Sequence, residues 1–217
     1  MIRQAIMEHL ATSRVEDAGH MLARAFYDDP MSEYLLPERE TRSRLLPELA
    51  AARTRYVHLY GDVYATADGG GAALWLRPGE TELSYWRMLR SGMVSAALKT
   101  GLSGIGRFLT LVDYVEDLHR RGAPARHWYL FFLGVEPSRQ RQGIGSALVR
   151  PMFDLCDAFR SPCFLLTFNE STLHFYDRHG FRVAVSGQVP RGPRVWGLLR
   201  EARATRTDHV RAGLVVK

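Results

Sequence analysis

Only two cysteines, Cys156 and Cys163, occur in 217 residues. They are too few for a disulfide framework and suit a reducing cytoplasm, where they read as small buried hydrophobes. No apolar run approaches the roughly 18 residues that a membrane helix needs, and the first residues contain no h-region. Neither a spanning segment nor a secretory leader is therefore expected. Acidic residues are outnumbered, 23 against 29 lysines and arginines, which leaves a formal net charge of +6. The excess is almost entirely arginine and is scattered along the chain. No aromatic-basic stripe or recognition motif accompanies it, so nucleic acid is not an expected partner. Repeats and low-complexity tracts are also missing. What remains is a chain with 46% hydrophobic content, enough for one sizeable core.

The most informative stretch is Val135-Glu-Pro-Ser-Arg-Gln-Arg-Gln-Gly-Ile-Gly-Ser146. Before it, Trp128 to Leu133 is an unbroken apolar run, as in a strand buried on both faces. Pro137 cannot donate to a ladder and should end that strand. After it, Ile144, Ala147, Leu148, Met152, Leu155 and Phe159 recur at helical spacing. Gly143 and Gly145 stand between strand and helix, with Arg139 and Arg141 just ahead. A helix start offers unpartnered N–H groups and positive potential, and glycines let a phosphate approach them closely. The stretch reads as a pyrophosphate cradle. It lacks the lysine of a P-loop and the third glycine of the dinucleotide fingerprint.

With its Gln140-x-x-Gly143-x-Gly145 spacing behind Val135-x-Pro137, the stretch resembles the acyl-coenzyme A signature of the GNAT N-acetyltransferase superfamily. Downstream, the apolar strand Cys163 to Phe168, then Asn169, then Phe175-Tyr-Asp-Arg-His-Gly-Phe-Arg-Val183 follow in the family's order. Within the superfamily the chain is most similar to small-molecule acetyltransferases of the puromycin N-acetyltransferase kind, specifically from about His127 to Arg200. The resemblance implies an α/β (α+β) fold: a mixed, mostly antiparallel twisted sheet of about six to seven strands. A central parallel pair would splay apart, with helices flanking the sheet. One such domain would span residues 1–200, with a basic tail over 201–217.

The same resemblance assigns roles. Acetyl-coenzyme A would be the co-substrate, with no metal. Backbone of Leu133, Gly134 and Val135 would hold the pantetheine arm, and Arg141, Gln142, Gly143, Ile144, Gly145 and Ser146 the pyrophosphate. Asn169 would bond to the arm or cap the next helix. Tyr176 matches the tyrosine near the thioester sulfur. A phenol (pKa about 10) giving its proton to a thiolate (about 8.5) is uphill by roughly 2 kcal/mol, so hydrogen-bond support of the leaving thiolate is expected.

An aliphatic amine is mostly protonated at neutral pH and must lose a proton before it attacks. Trp128 to Val135 carries no acidic residue, and Leu166 falls where puromycin N-acetyltransferase has a glutamate. Asp29, Glu82, Asp113, His119, His127 or water alone remain for that role. His174 and His179, five apart, do not share a helix face, which argues against a metal site.

Upstream, Ile2 to Leu10 reads as a first strand. Ser13-x-x-Glu16 reads as a capping box ahead of a helix with Val15, Ala18, Leu22, Ala25 and Phe26 on one stripe. That helix should stop at Asp28-Asp-Pro30. A second helix spans Glu38 to Tyr60 with Gly61 as its stop. A hairpin follows, Asp62 to Ala67 and Ala72 to Leu76 around Asp68-Gly-Gly-Gly71. Residues Thr81 to Arg121 are helical in pieces, broken at Gly92, Gly101 and Gly104, and exceed the minimal domain. With Asp28 to Tyr34 this segment is the expected acceptor side. Asp29, Tyr34, Glu82, Trp86 and Phe108 are candidates for substrate contact, and Tyr85, Met88 and Met93 for an apolar pocket.

The expected activity is acetyl transfer to the primary amine of a small molecule, an antibiotic or a metabolite, by direct attack in a ternary complex. A non-catalytic acyl-coenzyme A sensor and a protein N-acetyltransferase are the alternatives. A small amine is the expected partner, a homodimer is left open, and no membrane is expected.

Overall fold

Seven strands form one sheet in the order β1-β2-β3-β4-β5-β7-β6 in this computed structural model, which describes residues 7–203. The strands are β1 (Met7–His9), β2 (Gly61–Thr66), β3 (Gly71–Leu76), β4 (Trp128–Val135), β5 (Cys163–Thr167), β6 (Arg182–Gln188) and β7 (Arg194–Arg200). Every neighbouring pair is antiparallel except β4 and β5, which run parallel. Residues 2–6 of the expected first strand and 204–217 of the expected tail lie outside the described residues.

The helices are α1 (Val15–Ala25), α2 (Pro30–Leu35), α3 (Arg39–Tyr60), α4 (Tyr85–Ser91), α5 (Met93–Leu98), α6 (Gly101–Gly122), α7 (Ile144–Ala158) and α8 (Leu173–Arg178). Among the described residues none is long and apolar enough to cross a membrane.

Period-two alternation in the central strands fills two separate cores. Ala72, Leu74 and Leu76 of β3, with Phe164 of β5, pack toward α1, α3 and α6. Ala73 and Trp75, with Leu130, Cys163 and Leu165, pack toward Leu148, Val149 and Met152 of α7. Strands that bury both faces show no polar alternation, which is why β3 and β5 read as continuous apolar runs.

Three local expectations are corrected. Ser13 lies inside a short 3-10 turn, Thr12–Arg14, and α1 starts behind Arg14 with no side-chain cap. Glu16 bonds Arg55 rather than closing a capping box. Gly61 ends α3 as extended backbone, the first residue of β2, and not as a left-handed cap. Gly104 sits inside α6 and breaks nothing, whereas Gly92, at φ 85°, does separate α4 from α5.

The two thiols meet. Cys156 and Cys163 are buried with their Sγ atoms 3.0 Å apart, both as free cysteines. Nearby, the Arg200 guanidinium grips Asp157 through two bonds of 2.8 and 2.6 Å and donates to His179 O at 3.1 Å. Burial pulls the Asp157 carboxyl up, but those bonds outweigh it and hold the group below its ordinary range. This pair ties α7 to β7 and to the end of α8.

Candidate active site

Strands β4 and β5 pair only at Trp128↔Cys163, Tyr129↔Phe164 and Leu130↔Leu165. Across β4 on its other side, Leu74 faces Phe132 while Trp75 faces Leu130, so Phe131 is an extra residue, a β-bulge. A bulge bends its strand and increases local twist. Beyond it, Phe132 to Val135 have no ladder partner in β5 and stay paired to β3 alone. The backbone from Leu133 to Val135 therefore borders a gap on that side. At Gly134 a Cβ would stand 2.4 Å from Leu22 Cδ2 of α1, so a larger residue would make the Leu22 side chain shift.

Two spaces open from this gap. One is a cleft of about 990 Å³ whose wall includes Leu133, Gly134, Val135, Arg141, Gly143, Ile144, Gly145, Ser146, Asn169 and Tyr176. The other is a cavity of about 120 Å³ enclosed mainly by apolar residues of β4, β5 and α6, with Met93 and Phe108 among them. Phe26, Asp29, Leu133, Thr172 and Tyr176 border both, so the cleft and the cavity share one wall.

The cleft is suited to an anion. Gly143 caps the start of α7 at φ 80°, with no neighbouring atom within 4 Å of where a Cβ would point. At Gly145 a Cβ would meet Phe175 at 3.6 Å and Val135 at 3.9 Å, both ordinary contacts. Protein packing therefore does not exclude side chains at these two glycines, and a Cβ at either would project into ligand space. Arg141 holds a left-handed conformation at φ 59°, the sort of strain that surrounding structure sustains at ligand sites. The Gln140 side chain donates to Val135 O at 3.1 Å and fixes the loop to the strand end.

Of four arginines on the cleft, two are already paired: Arg24 with Glu136 at 2.8 Å and Arg139 with Asp68 at 2.8 Å. Hydrogen bonds from Thr66, from Gly70 N–H and from Arg139 hold Asp68 at about 2. Arg141 and Arg178 have no such partner among the described residues. These residues fit a polyphosphate such as that of coenzyme A. Gln142, exposed, is off the cleft wall. Asn169 accepts from Ser171 N at 3.0 Å, so its side chain caps the turn before α8 while its residue borders the cleft.

Tyr176 is 9% exposed, and its hydroxyl has no hydrogen bond to any described residue. Burial first, and then the charge of Asp29, push its phenol well above the ordinary range. It is thus a proton-bearing donor and not a phenolate. Gly180, at φ 88°, turns the chain so that Phe181 N–H bonds Tyr176 O at 3.1 Å and the Phe181 ring meets the Tyr176 ring edge-on at 5.7 Å. Packing and access to the cleft coexist at this residue.

Asp29 caps α2 by accepting Met31 N–H at 2.9 Å, as turn chemistry predicts, yet it also borders cleft and cavity. Burial raises its carboxyl to about 6; the Met31 N–H bond and Arg53 resist that rise, while Glu33 adds to it. Leu166 lines the cavity as an apolar residue.

The other acidic and histidine candidates lie elsewhere. Glu82 is exposed, and Asp113 accepts the Tyr85 hydroxyl at 2.9 Å on the outside. His127 donates from Nδ1 to Pro124 O at 2.6 Å, which leaves its Nε2 to accept from His119 at 2.8 Å. Burial lowers both, His119 to about 3, so this is a neutral, satisfied pair packed on Tyr129 and Phe164.

Trp86 is 65% exposed and off the cavity wall, as is Tyr85. Tyr34 turns toward Pro190 O, 3.4 Å from its hydroxyl, and does not border the cavity. Sequence reasoning missed Arg53, Arg178 and Thr172. Arg178 lies two residues past Tyr176 and was within reach of the motif. Arg53 lies in the middle of α3 with no local signal of its role.

A sheet whose one parallel pair parts at a bulge, with a glycine-capped helix start facing the gap, defines an acyl-transferase class of fold. The chain belongs to the acetyltransferase (GNAT) family, whose model matches residues 63–181. It is 29% identical, over 79% of its own length and 74% of the relative's, to an uncharacterized N-acetyltransferase, C550.08, of Schizosaccharomyces pombe. A crystal structure titled histone acetyltransferase HPA2 and related acetyltransferase, from Corynebacterium glutamicum, superposes with a TM-score of 0.62 at 17% identity, covering 92% of this chain and 97% of that one. Arylalkylamine N-acetyltransferase 2 from Aedes aegypti gives a TM-score of 0.59 at 11% identity, covering 91% and 99%. At these identities the structures share the fold.

Proposed function

We propose that the protein is an acetyl-coenzyme A-dependent N-acetyltransferase acting on the primary amine of a small molecule. The observation that carries this reading is the shared wall. A large cleft fit for a polyphosphate and a smaller, mainly apolar cavity meet at Asp29, Leu133 and Tyr176. A transferase needs such a junction, with donor and acceptor entering from different sides and reacting where they meet.

Acetyl-coenzyme A supplies the thioester carbonyl that the amine attacks. The α7 start, with Gly143, Gly145, Ser146 and Arg141, holds its pyrophosphate, and the backbone of Leu133 to Val135 its pantetheine arm. Tyr176 donates a hydrogen bond toward the departing sulfur. A phenol pushed above its usual pKa makes full proton transfer still more uphill, so its part is stabilisation of developing charge. Asp29, ionised above about pH 6, holds the ammonium and accepts the proton the amine sheds, passing it to water. The cavity holds the body of the acceptor by apolar contact.

The test is thiol release from acetyl-coenzyme A across a library of small amines, with mass detection of the acetylated product. Release with small primary amines supports the reading. A protein that binds acetyl-coenzyme A tightly but acetylates no amine in the library would instead be a sensor. Release only with peptide or protein amines would move the acceptor to another class.

A further inference from the structure

Three arginines are buried among the described residues: Arg42, Arg53 and Arg200. Two are held by protein groups, although Arg42 Nε has no hydrogen-bond partner among the described residues. Arg42 donates to Leu36 O at 2.8 Å and Pro37 O at 3.3 Å, with Glu33 at 3.8 Å. Arg200 grips Asp157 with both arms. Arg53, 6% exposed, has no hydrogen bond and no ion pair within 4 Å among the described residues. Its guanidinium carbon lies 5.3 Å from the centre of the Phe132 ring, and it lines the cavity. A buried guanidinium left without an anion is costly, and proteins pair such groups or place them where a ligand completes them.

The remaining opposite charge in that cavity is Asp29, felt by Arg53 through space but too far for an ion pair. The cavity thus presents one carboxylate at the junction with the cleft and one guanidinium away from it. Met93, Phe108 and Val112 add apolar wall to the same cavity. We infer that the acceptor carries an anionic group as well as its amine, the class that fits being apolar α-amino acids. The ammonium faces Asp29 beside Tyr176, the carboxylate takes the planar fork of Arg53, and the side chain fills the apolar end. A single fork matches a carboxylate, whereas a phosphate dianion calls for more donors than this cavity has. Size agrees: a cavity of about 150 Å³ admits benzene, so about 120 Å³ here suits a branched aliphatic chain or at most one ring.

This inference rests on the acetyl-transfer reading, and the experiment separates the two. Thiol release is measured with leucine and phenylalanine against their decarboxylated counterparts, isoamylamine and phenethylamine, in the parent and in Arg53→Met and Arg53→Lys. The parent should prefer each amino acid over its amine in kcat/KM by roughly ten- to hundredfold, the scale of one charged hydrogen-bond pair. Arg53→Met should erase that preference by raising KM for the amino acid, leaving KM for acetyl-coenzyme A within about twofold. Arg53→Lys should keep part of it. Thermal melting establishes that both variants fold; if Arg53→Met does not, a partial fall of the preference in Arg53→Lys decides for the inference and an unchanged preference decides against it. A parent that acetylates the amines better than the amino acids overturns the inference and leaves acetyl transfer standing. So does a preference that Arg53→Met leaves unchanged. Acetyl-coenzyme A binding with no release from any amine overturns both.

Discussion

The cleft beside α7 is about 990 Å³, and its functional surface is backbone, glycine and arginine; the cavity behind Tyr176 is about 120 Å³ and lined mainly by apolar residues. Charge is handled differently in the two. In the cleft, Arg24 and Arg139 are neutralised by Glu136 and Asp68 at the surface, where water screens what remains. In the cavity, Asp29 and Arg53 lie beyond ion-pair distance, and burial shifts their ionisation inward from both sides, to about 6 and about 10. A site made of backbone amides and absent side chains recognises what every cofactor molecule shares. A site made of a few buried side chains recognises what distinguishes one acceptor from another.

The sharpest way to break this comparison is at the cradle. Gly143 sits at φ 80°, where an L side chain is strained, and its missing Cβ opens onto the cleft. Gly143→Val should abolish the rise in melting temperature that acetyl-coenzyme A gives the parent, in a protein that still folds. Retained coenzyme A binding in Gly143→Val would show that the anion site lies elsewhere.

At the shared wall the expected effect is smaller and falls on rate. Tyr176→Phe should lower kcat by roughly tenfold to a thousandfold, as for a lost donor to developing charge, with acetyl-coenzyme A affinity nearly unchanged. Because the Tyr176 ring packs on Phe181 at 5.7 Å, Phe keeps that contact and the variant should melt close to the parent. An unchanged kcat with chemistry rate-limiting would remove Tyr176 from the reaction.

The same division explains what could be read from the sequence. The cradle is local: strand end, loop and helix start are consecutive, so Val135 to Ser146 and Tyr176 were legible from spacing and family resemblance, and the parallel pair with them. The hairpin from β2 to β3 was legible for the same reason. The cavity is assembled from Asp29, α3, α5, α6 and two strands, and no spacing along the chain tells which face of a helix turns inward. Trp86 and Phe108 look alike as aromatic residues in helical segments, yet Trp86 is 65% exposed and Phe108 is 6% exposed. Arg53 was invisible because its burial is set by elements distant from it along the chain. Ser13-x-x-Glu16 misled because Arg55, far along the chain, competes for Glu16.

Asp29 tests the electrostatic half of the contrast. In the parent, kcat/KM for an amine should climb about tenfold per unit up to about pH 6 and then level off. In Asp29→Asn, which keeps the α2 cap because an amide oxygen can still accept Met31 N–H, it should be lower. There it should keep rising toward the amine's own pKa. Stability gives an independent readout. Burial raises the folded carboxyl to about 6, above an unfolded value of about 4. Its stabilising contribution is therefore full below about pH 4 and is lost as pH rises through 6. Asp29→Asn should melt higher than the parent at pH 8 and the same at pH 4. Equal melting at both values would mean that Asp29 is not desolvated.

The smallest effect separates the cavity wall from the outside of the same helical segment. Phe108 lines the cavity from α6, while Trp86 stands on α4 with most of its ring in solvent. Phe108→Leu keeps an apolar side chain and limits the void that an alanine would leave, so the fold should tolerate it. Losing the ring withdraws contact worth about 1 kcal/mol from whatever fills the cavity, which raises KM for the acceptor roughly fivefold. KM for acetyl-coenzyme A should stay within about twofold, since Phe108 does not border the cleft. Trp86→Ala should leave both constants within about twofold, because an exposed ring has neither ligand to lose. If Trp86→Ala weakens the acceptor as much as Phe108→Leu does, the acceptor reaches the outer surface of α4 and is larger than the cavity. Were Phe108→Leu to weaken both substrates equally, the cavity would be plain core, and the contrast between the two spaces would be one of packing alone.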